Sequence, residues 1–330
     1  MGKVVSVLAA LGLLFCSLAA LAAEPPGKVT RIGYLTNRLP ALSSGRREAI
    51  HQALRAFGYI EGQNISTEYR SAEGKLDRIA GLAAELVSLK VDVIIVEGGF
   101  TVVRAAANAT KTIPIVMAGP GLDPVEAGFV KSLAQPGGNI TGFTNIAGYL
   151  GGKRLELLKD AVAKVARVVV LYEANNTRNM FEFKEVLPAS ARALKLTILR
   201  REVRDANDFE RAFAMIKKDH PDGISVLGGP LMNRSEERTA AFAIRNRLPS
   251  VYDEPEAINA GGLLYYGADA TEGYQRVTAF VDKIIKGRKP ADLPVEQPMR
   301  FELVVNLKTA KQIGVTVDPN LLARAQRLIR

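Results

Sequence analysis

The sequence predicts an α/β protein made of two doubly wound lobes, each built on its own parallel sheet. Short apolar runs alternate with amphipathic stretches of helical length, which is the pattern of repeated β-α-β units. The pattern then recurs: DVIIVEGG, a helix and IPIVMAGP in the first half match GISVLGG, a helix and LPSVYDEP in the second. This repeat favours two similar lobes over one continuous sheet, because sheets of that width usually split.

The first half of the chain supplies five strands and the helices that connect them. The strands are predicted from apolar and β-branched runs, at RIGYL (31–35), NISTEYR (64–70), DVIIVEG (92–98), PIVMAG (114–119) and ITGFTN (140–145). Apolar residues at helical spacing predict helices over 44–57 and 76–90, and two more that begin at Thr101 and at Pro124.

The second half repeats this series and adds two elements. Strands are predicted at ARVVVLYE (166–173), LTILRREV (196–203), GISVLGG (223–229) and PSVYDE (249–254), with helices over 180–194, over 208–218 and from Ser235. A helix over 274–286 and the strand FELVVN (301–306) remain after both series are complete. We therefore expect the chain to cross back between the lobes and to leave a cleft between them.

Composition favours a solvated basic surface over a nucleic-acid-binding role. The 330 residues carry a net charge of +10, but the basic residues occur as scattered pairs such as Arg200-Arg201 rather than in a run. The chain has no Trp and only 6% aromatic residues, so side chains on which bases could stack are scarce. The charge is typical of a solvated basic surface.

The N-terminus predicts export. Lys3 precedes the apolar run VVSVLAALGLLFCSLAALAA, which ends in the small-residue site Ala20-Leu21-Ala22, as in a secretory signal peptide over 1–22. The expected location is periplasmic, and an uncleaved membrane anchor is the alternative. Cys16 is the only cysteine and follows the bulky Phe15, which disfavours lipid attachment. The processed chain has no cysteine, which excludes disulfides and cysteine catalysis.

No pattern in the sequence indicates catalysis. The chain has no G-x-S-x-G elbow, no phosphate-binding loop and no complete G-x-G-x-x-G motif. Its two histidines, His51 and His220, occupy surface settings without the neighbours that a metal site needs. We therefore predict a protein that is not an enzyme and that uses no metal and no cofactor.

The loops that follow the predicted strands indicate a binding site. They combine glycine with Asn, Thr and Asp, at TNRLP (36–40), GGFT (98–101), AGPGLDP (118–124), YEANNT (172–177), GGPLMN (228–233) and YDEPE (252–256). Ligands of open α/β sheets bind at the carboxyl ends of strands, and helix N-termini attract anions. Ordinary turns and helix caps are the alternative for any single residue.

Several segments together resemble the exported substrate-binding proteins of ABC transporters. They include LRAFGYIEGQNISTEYRSAEGKLDRIAGLAAELVSLKVDVIIVEGG, TIPIVMAGPGLDPVEAGFVKSLAQPGGNITGFT, GKRLELLKDAV and ADLPVEQPMRFELVVNLKTAKQIGVTVDP. The branch of this family that the sequence resembles includes tryptophan- and tyrosine-type binders. The sequence departs from it at Glu173-Ala174-Asn175-Asn176, where relatives often have a Pro-rich loop.

The resemblance implies a type I periplasmic-binding-protein fold with three crossovers and a ligand cleft. The crossovers are expected near Asn145, Ala268 and Arg300, which gives lobe 1 as 28–145 with 269–300 and lobe 2 as 146–268 with 301–330. The implied partners are a small ligand, an amino acid or similar organic solute, and a membrane permease, with the protein itself a monomer. A ligand-sensing regulator of the same fold and an exported α/β enzyme are the alternatives.

The predicted ligand site draws on both lobes. Thr101 and the Gly99 N–H are expected to take an anionic end of the ligand, and Asp123, Asp253 or Glu254 an ammonium. Asp123 also fits a plain helix cap before Pro124. The full predicted lining is Tyr34, Asn37, Gly99, Phe100, Thr101, Gly119 and Asp123 from lobe 1, Tyr172, Asn175, Gly229, Asp253 and Glu254 from lobe 2, and Asn145 and Tyr266 near the hinge.

Overall fold

In the computed structural model, two β-sheets organise the chain. The structure describes residues 29–330, with all of their side chains except those of 41–43. The predicted signal peptide over 1–22 lies outside the described residues.

The first sheet has five parallel strands in the order β2-β1-β3-β4-β5. They are β1 (Thr30–Thr36), β2 (Ile65–Ser71), β3 (Val93–Glu97), β4 (Ile115–Ala118) and β5 (Ile140–Phe143). The helices between the first four strands are α1 (Pro40–Arg55), α2 (Ile79–Ser88), which follows a 3₁₀ turn at Leu76–Arg78, and α3 (Phe100–Ala109). The central strand β3 is fully buried from Val93 to Val96, as expected for a strand covered by helices on both faces.

The second sheet has seven strands in the order β12-β11-β10-β9-β8-β6-β7. They are β6 (Arg167–Glu173), β7 (Thr197–Val203), β8 (Gly223–Val226), β9 (Ser250–Tyr252), β10 (Leu264–Ala268), β11 (Phe301–Asn306) and β12 (Arg327–Ile329). Only the β10–β11 pair is antiparallel. The two separate sheets confirm the predicted fold class.

Helices cover the faces of the second sheet, and one helix from the second half of the chain packs on the first sheet. In chain order they are α4 (Gly151–Ala161), α5 (Thr177–Phe181), the π-helical Glu182–Val186, α6 (Leu187–Leu194), α7 (Asp208–Asp219), α8 (Pro230–Asn233), α9 (Glu236–Arg245), α10 (Glu256–Asn259), α11 (Ala270–Ile285), α12 (Leu307–Ile313) and α13 (Pro319–Arg324). Two further 3₁₀ turns lie at Ala147–Tyr149 and Pro290–Asp292.

The chain passes between the sheets three times. It leaves β5 of the first sheet and next forms α4, which packs on strands of the second. After β10 it returns as α11, which packs on α1, β4 and β5. Glu296 then pairs with Phe143 at the end of β5 before the chain re-enters the second sheet as β11. The three passages lie beside one another, so a cleft opens between the two sheets on the other side.

Two predicted helices differ in the structure. The helix predicted from Pro124 is wrong, because residues 124–128 form turns. Asp123 Oδ1 accepts the Val125 N–H at 2.7 Å, but Gly128 takes a left-handed φ of +73° and ends the helical path after one turn. The helix predicted over 180–194 is split by its π-helical segment, next to Pro188, which removes a backbone donor.

Candidate functional site

A cleft of about 350 Å³ lies between the two sheets, at the carboxyl ends of the parallel strands. Loops after β1, β3 and β4 line it from the first sheet, and loops after β6, β8 and β9 line it from the second. Ten predicted site residues line this cleft, namely Asn37, Gly99, Phe100, Thr101, Gly119, Asn145, Asn175, Gly229, Asp253 and Glu254. The loops at the strand ends thus bring these ten residues together in one cleft.

The connection from β3 to α3 presents a helix N-terminus to the cleft. Gly98 adopts a φ of +145°, and a Cβ there would come within 2.8 Å of Val102 Cγ2, so this position requires glycine. Gly99 is the N-cap of α3 and supplies no side-chain acceptor to the first helical turn. Phe100 and Thr101 follow it at the cleft surface. The first N–H groups and the helix dipole favour a negative group here.

A buried carboxylate, Glu97, organises the charged groups of the first lobe. Its Oε2 accepts the Tyr34 hydroxyl at 2.8 Å, and its Oε1 lies 3.2 Å from Arg46 Nη1 and 3.5 Å from Arg38 Nε. Burial, reinforced by the nearby Glu97 carboxylate, raises the pKa of the Tyr34 hydroxyl well above its usual value. Tyr34 therefore remains a neutral donor that fixes Glu97 at the end of β3.

The two arginines also reach the second lobe. Arg38 Nη2 and Arg46 Nη2 lie 2.9 Å and 3.0 Å from Glu254 Oε2, and Arg46 Nη2 lies 2.7 Å from Glu256 Oε1. Burial opposes ionisation of Glu254, but the guanidinium groups of Arg38, Arg46 and Arg178 outweigh it and lower the pKa of Glu254 to about 2. The carboxylate is therefore charged at neutral pH and joins the two lobes.

A second buried ion pair shapes the floor of the second lobe. Arg178 on α5 donates to Asp253 Oδ2 and to the carbonyl oxygen of Gly228. Asp253 Oδ1 accepts the Gly228 N–H at 2.6 Å, so the loops after β8 and β9 are held to one another. The side chain of Asn176 caps α5 by accepting the N–H groups of Arg178 and Asn179. Asp253 thus acts mainly to hold Arg178 and the Gly228 backbone in place.

Glu173, at the end of β6, supports the start of the short helix α8. Its Oε1 accepts the N–H groups of Leu231 and Met232 at 2.7 Å and 2.8 Å. Burial raises the pKa of Glu173, although these two backbone N–H groups oppose the shift. The side chain lines the cleft while it satisfies backbone donors that would otherwise lack partners.

Four predicted site residues do not line the cleft, and packing explains three of them. Tyr34 stacks on Tyr69 with ring centroids 5.0 Å apart, and Tyr172 stacks on Phe183 at 5.3 Å. Tyr266 stacks on Phe301 at 5.9 Å. These rings pack within their own lobes instead of forming walls of the cleft.

Asp123 is the fourth. Its carboxylate caps the turn at Val125, which matches the alternative of a plain cap. It makes a local backbone contact and does not line the cleft.

The prediction missed several cleft residues whose signals were weak or absent. Arg38 lies in one of the predicted binding loops, whereas Arg46 lies inside a helix and Glu97 is the last residue of a strand. Tyr265 lies on β10, a strand that was not predicted, and faces the cleft because neighbouring strand residues point to opposite faces. The missed lining includes Arg38, Arg46, Glu97, Phe143, Glu173, Arg178, Tyr265 and Tyr274.

Residues 29–330 lack two features that would indicate other functions. Within this range no group of three or more His, Cys, Asp or Glu side chains could hold a metal ion. Over the same range, no helix combines the length and apolar character needed to cross a membrane.

Comparison with known proteins identifies the family. Residues 40–329 match the family described as ABC transporter substrate binding protein. The chain is 27% identical over 277 residues to a tyrosine-binding protein of Clostridioides difficile (strain R20291), an alignment that covers 84% of this chain and 78% of that protein.

Two solved structures share the fold over nearly the whole chain. A conserved domain protein from Vibrio cholerae O1 biovar El Tor is 26% identical with a TM-score of 0.83, and covers 91% of this chain and 100% of its own. The ABC domain from Streptococcus pneumonia in complex with L-Trp is 25% identical with a TM-score of 0.81, and the match covers 91% and 99%. The matched family and the named relative are substrate-binding proteins, which confirms the prediction that the chain is not an enzyme. The chain belongs to the family of ABC transporter substrate binding proteins.

Proposed function

We propose that the protein is an exported receptor that captures an aromatic L-amino acid in the interlobe cleft and delivers it to a membrane permease. The observation that carries this proposal is the composition of the cleft: a helix N-terminus at Gly99–Thr101 and aromatic side chains of both lobes line the same cavity. Two relatives support the ligand class, since one is described as tyrosine-binding and another was solved with L-Trp.

The charges of the cleft favour a solute without net charge. Two of its acids are bonded to arginines of the protein itself: Glu254 to Arg38 and Arg46, and Asp253 to Arg178. A solute with a net charge would add an unbalanced charge to a partly desolvated site, which is costly. A zwitterion brings its own balance of charge.

The proposed pose places the solute carboxylate at the start of α3. There the Thr101 hydroxyl and the first backbone N–H groups of the helix supply donors. The solute ring lies among Phe100, Phe143, Tyr265 and Tyr274, which line the cleft. The ammonium group points to Glu254. This acid was predicted from the sequence, lines the cleft and bonds to arginines of the other lobe.

The N-terminal pattern and the family support the proposed export and delivery. Lys3, the apolar run and Ala20-Leu21-Ala22 support a cleaved signal peptide and a periplasmic protein. The family name associates the chain with an ABC transporter, whose permease is the partner that a solute receptor serves.

A thermal-shift panel of the twenty L-amino acids, nucleosides and small organic acids tests the proposed function. A ligand present at about 100 times its Kd stabilises the folded state by about 2.7 kcal/mol and raises the melting temperature by several degrees. We expect L-tryptophan and L-tyrosine to give the largest shifts. A larger shift from a nucleoside or a dicarboxylic acid than from any aromatic amino acid would overturn the ligand assignment.

A further inference from the structure

Arg46 occupies the centre of a charge network that joins the two lobes across the cleft mouth. Its Nη1 lies 3.2 Å from Glu97 of the same lobe. Its Nη2 lies 3.0 Å from Glu254, and both Nε and Nη2 contact Glu256, at 3.0 Å and 2.7 Å. Arg38 adds a second link to Glu254 at 2.9 Å. One guanidinium thus engages three carboxylates from two lobes, a geometry that a planar fork of donors permits.

These side chains are largely withdrawn from solvent. The side chains of Arg38, Arg46 and Glu254 are 13%, 17% and 18% exposed, and that of Glu256 is 31% exposed. Ion pairs at this depth are screened by salt less than exposed pairs. The network therefore differs from the scattered pairs on the outer surface, such as Arg238 with Glu210, whose side chain is 80% exposed.

Separation of the lobes would take from each side the opposite charges that the other side supplies. In the second lobe, Glu254 and Glu256 follow β9, and Glu254 would keep only the influence of Arg178, whose guanidinium is already paired with Asp253. In the first lobe, Arg38 and Arg46 would keep Glu97 as their one carboxylate partner from this network. Closure brings each set against the opposite charges, so the network favours the closed arrangement without any help from a solute.

We propose that Arg38, Arg46, Glu254 and Glu256 form an interlobe latch that holds a fraction of the molecules closed before solute binds. The link to solute affinity rests on the proposed function, because a solute that binds only the closed form has an apparent affinity scaled by the closed fraction. The closure of the empty protein does not depend on which solute the cleft accepts.

Distance measurements between two labels on the full chain, with no solute added, test the latch. Cysteines replace Ala80 and Ala206, which are exposed and follow the cleft-facing ends of β2 and β7. The background carries Cys16→Ser, since Cys16 is the only cysteine of the chain. Pulsed electron-spin measurements then report closed molecules as a short-distance population and open molecules as a long-distance one.

The wild-type labelled protein is expected to show a clear short-distance population. Glu256→Gln and Arg46→Gln should each lower the ratio of closed to open molecules about tenfold, because each removes the charged contact between Arg46 and Glu256. The double variant should fall no further than the more affected single variant, since both changes remove one shared interaction. The control Glu210→Gln removes a carboxylate that pairs within lobe 2 and should leave the distances unchanged.

Three results would overturn the latch: an empty wild-type protein that is entirely open, unchanged distances in both folded single variants, or additive effects in the double variant. Thermal unfolding of each variant confirms that it is folded. A separate titration with L-tryptophan distinguishes the two proposals. If the substitutions change the distances but the protein does not bind L-tryptophan, the ligand assignment is wrong and the latch stands. If the protein binds L-tryptophan but the substitutions leave the distances unchanged, the latch is wrong and the ligand assignment stands.

Discussion

Arg154 and Glu182 form an ion pair of 3.1 Å in which neither side chain is exposed to solvent. Arg154 also donates to the carbonyl oxygens of Ala147 and Tyr266 at 3.0 Å each. Ala147 follows the first passage between the lobes, and Tyr266 precedes the second. One buried guanidinium therefore ties two of the three passages to α5–α6 of the second lobe.

Replacement of Arg154 should destabilise the protein strongly. Arg154→Met leaves two carbonyl oxygens and the Glu182 carboxylate buried without this partner, which costs about 3–5 kcal/mol for a broken buried pair. Chemical denaturation measures the loss. The control Arg324→Gln breaks the half-exposed pair with Asp160 and should change stability by at most about 1 kcal/mol. Equal stabilities for the two variants would show that Arg154 does not tie the passages together.

Thr101 should contribute to ligand affinity through the anionic end of the solute. Thr101→Ala removes one hydrogen bond to a charged group, which costs about 1.5–3 kcal/mol, or about ten- to hundredfold in affinity. Calorimetry with L-tryptophan measures the change. Thr271→Ala is the matched control, since Thr271 lies in the first turn of α11 but outside the cleft lining, and it should bind as the wild type does. An unaltered affinity for Thr101→Ala would show that the carboxylate binds elsewhere.

Glu236 should make the stability of the protein fall as the pH rises. Burial, with Glu254 and Glu256, raises the pKa of this carboxyl from 4.5 to about 8, while Arg38 and Arg46 oppose the shift. Between those pH values the folded chain holds a proton that the unfolded chain has lost, so the free energy of unfolding declines by at most about 1.4 kcal/mol per pH unit. Glu236→Gln should remove this decline.

Denaturation curves at several pH values test this expectation. The Glu236→Gln variant should match the wild type near pH 4 and exceed it at pH 9. Glu237→Gln, a change at the exposed neighbour, serves as the control and should retain the wild-type pH dependence. Parallel stability profiles for Glu236→Gln and wild type from pH 4 to pH 9 would show that Glu236 does not carry this proton.

Processing of the N-terminus should remove residues 1–22. The site Ala20-Leu21-Ala22 predicts a mature chain that starts at Ala23. Intact-mass analysis of protein recovered from an exporting host measures the product. Retention of Met1, or a lipid attached at Cys16, would contradict the predicted export route.

The fold was predictable from sequence because its signals are local. Buried runs such as Val91 to Val96, each followed by an amphipathic helix, specify parallel strands without any knowledge of distant residues. The helix expected from Pro124 failed where a single glycine, Gly128, ended it. The strand β10 was missed although Gly261-Gly262, a turn signal, stands just before it.

The site was predictable only where position along a strand determined it. Gly99 and Thr101 follow β3 directly, so the topology places them at the cleft. The orientation of an aromatic ring at a strand end depends on the partner it packs against, as Tyr34 and Tyr172 show. Arg46 reaches the cleft from within a helix, and its partners lie about 210 residues away in sequence. Such contacts arise from tertiary packing alone.

Calorimetric titration of the wild-type protein tests the central claim most directly. L-tryptophan and L-tyrosine should each bind at one site per chain, and tryptamine, which lacks the carboxylate, should bind at least about tenfold more weakly because it leaves the α3 N-terminus without its anion. Absence of binding by both amino acids, or an affinity for tryptamine equal to that for L-tryptophan, would contradict the account.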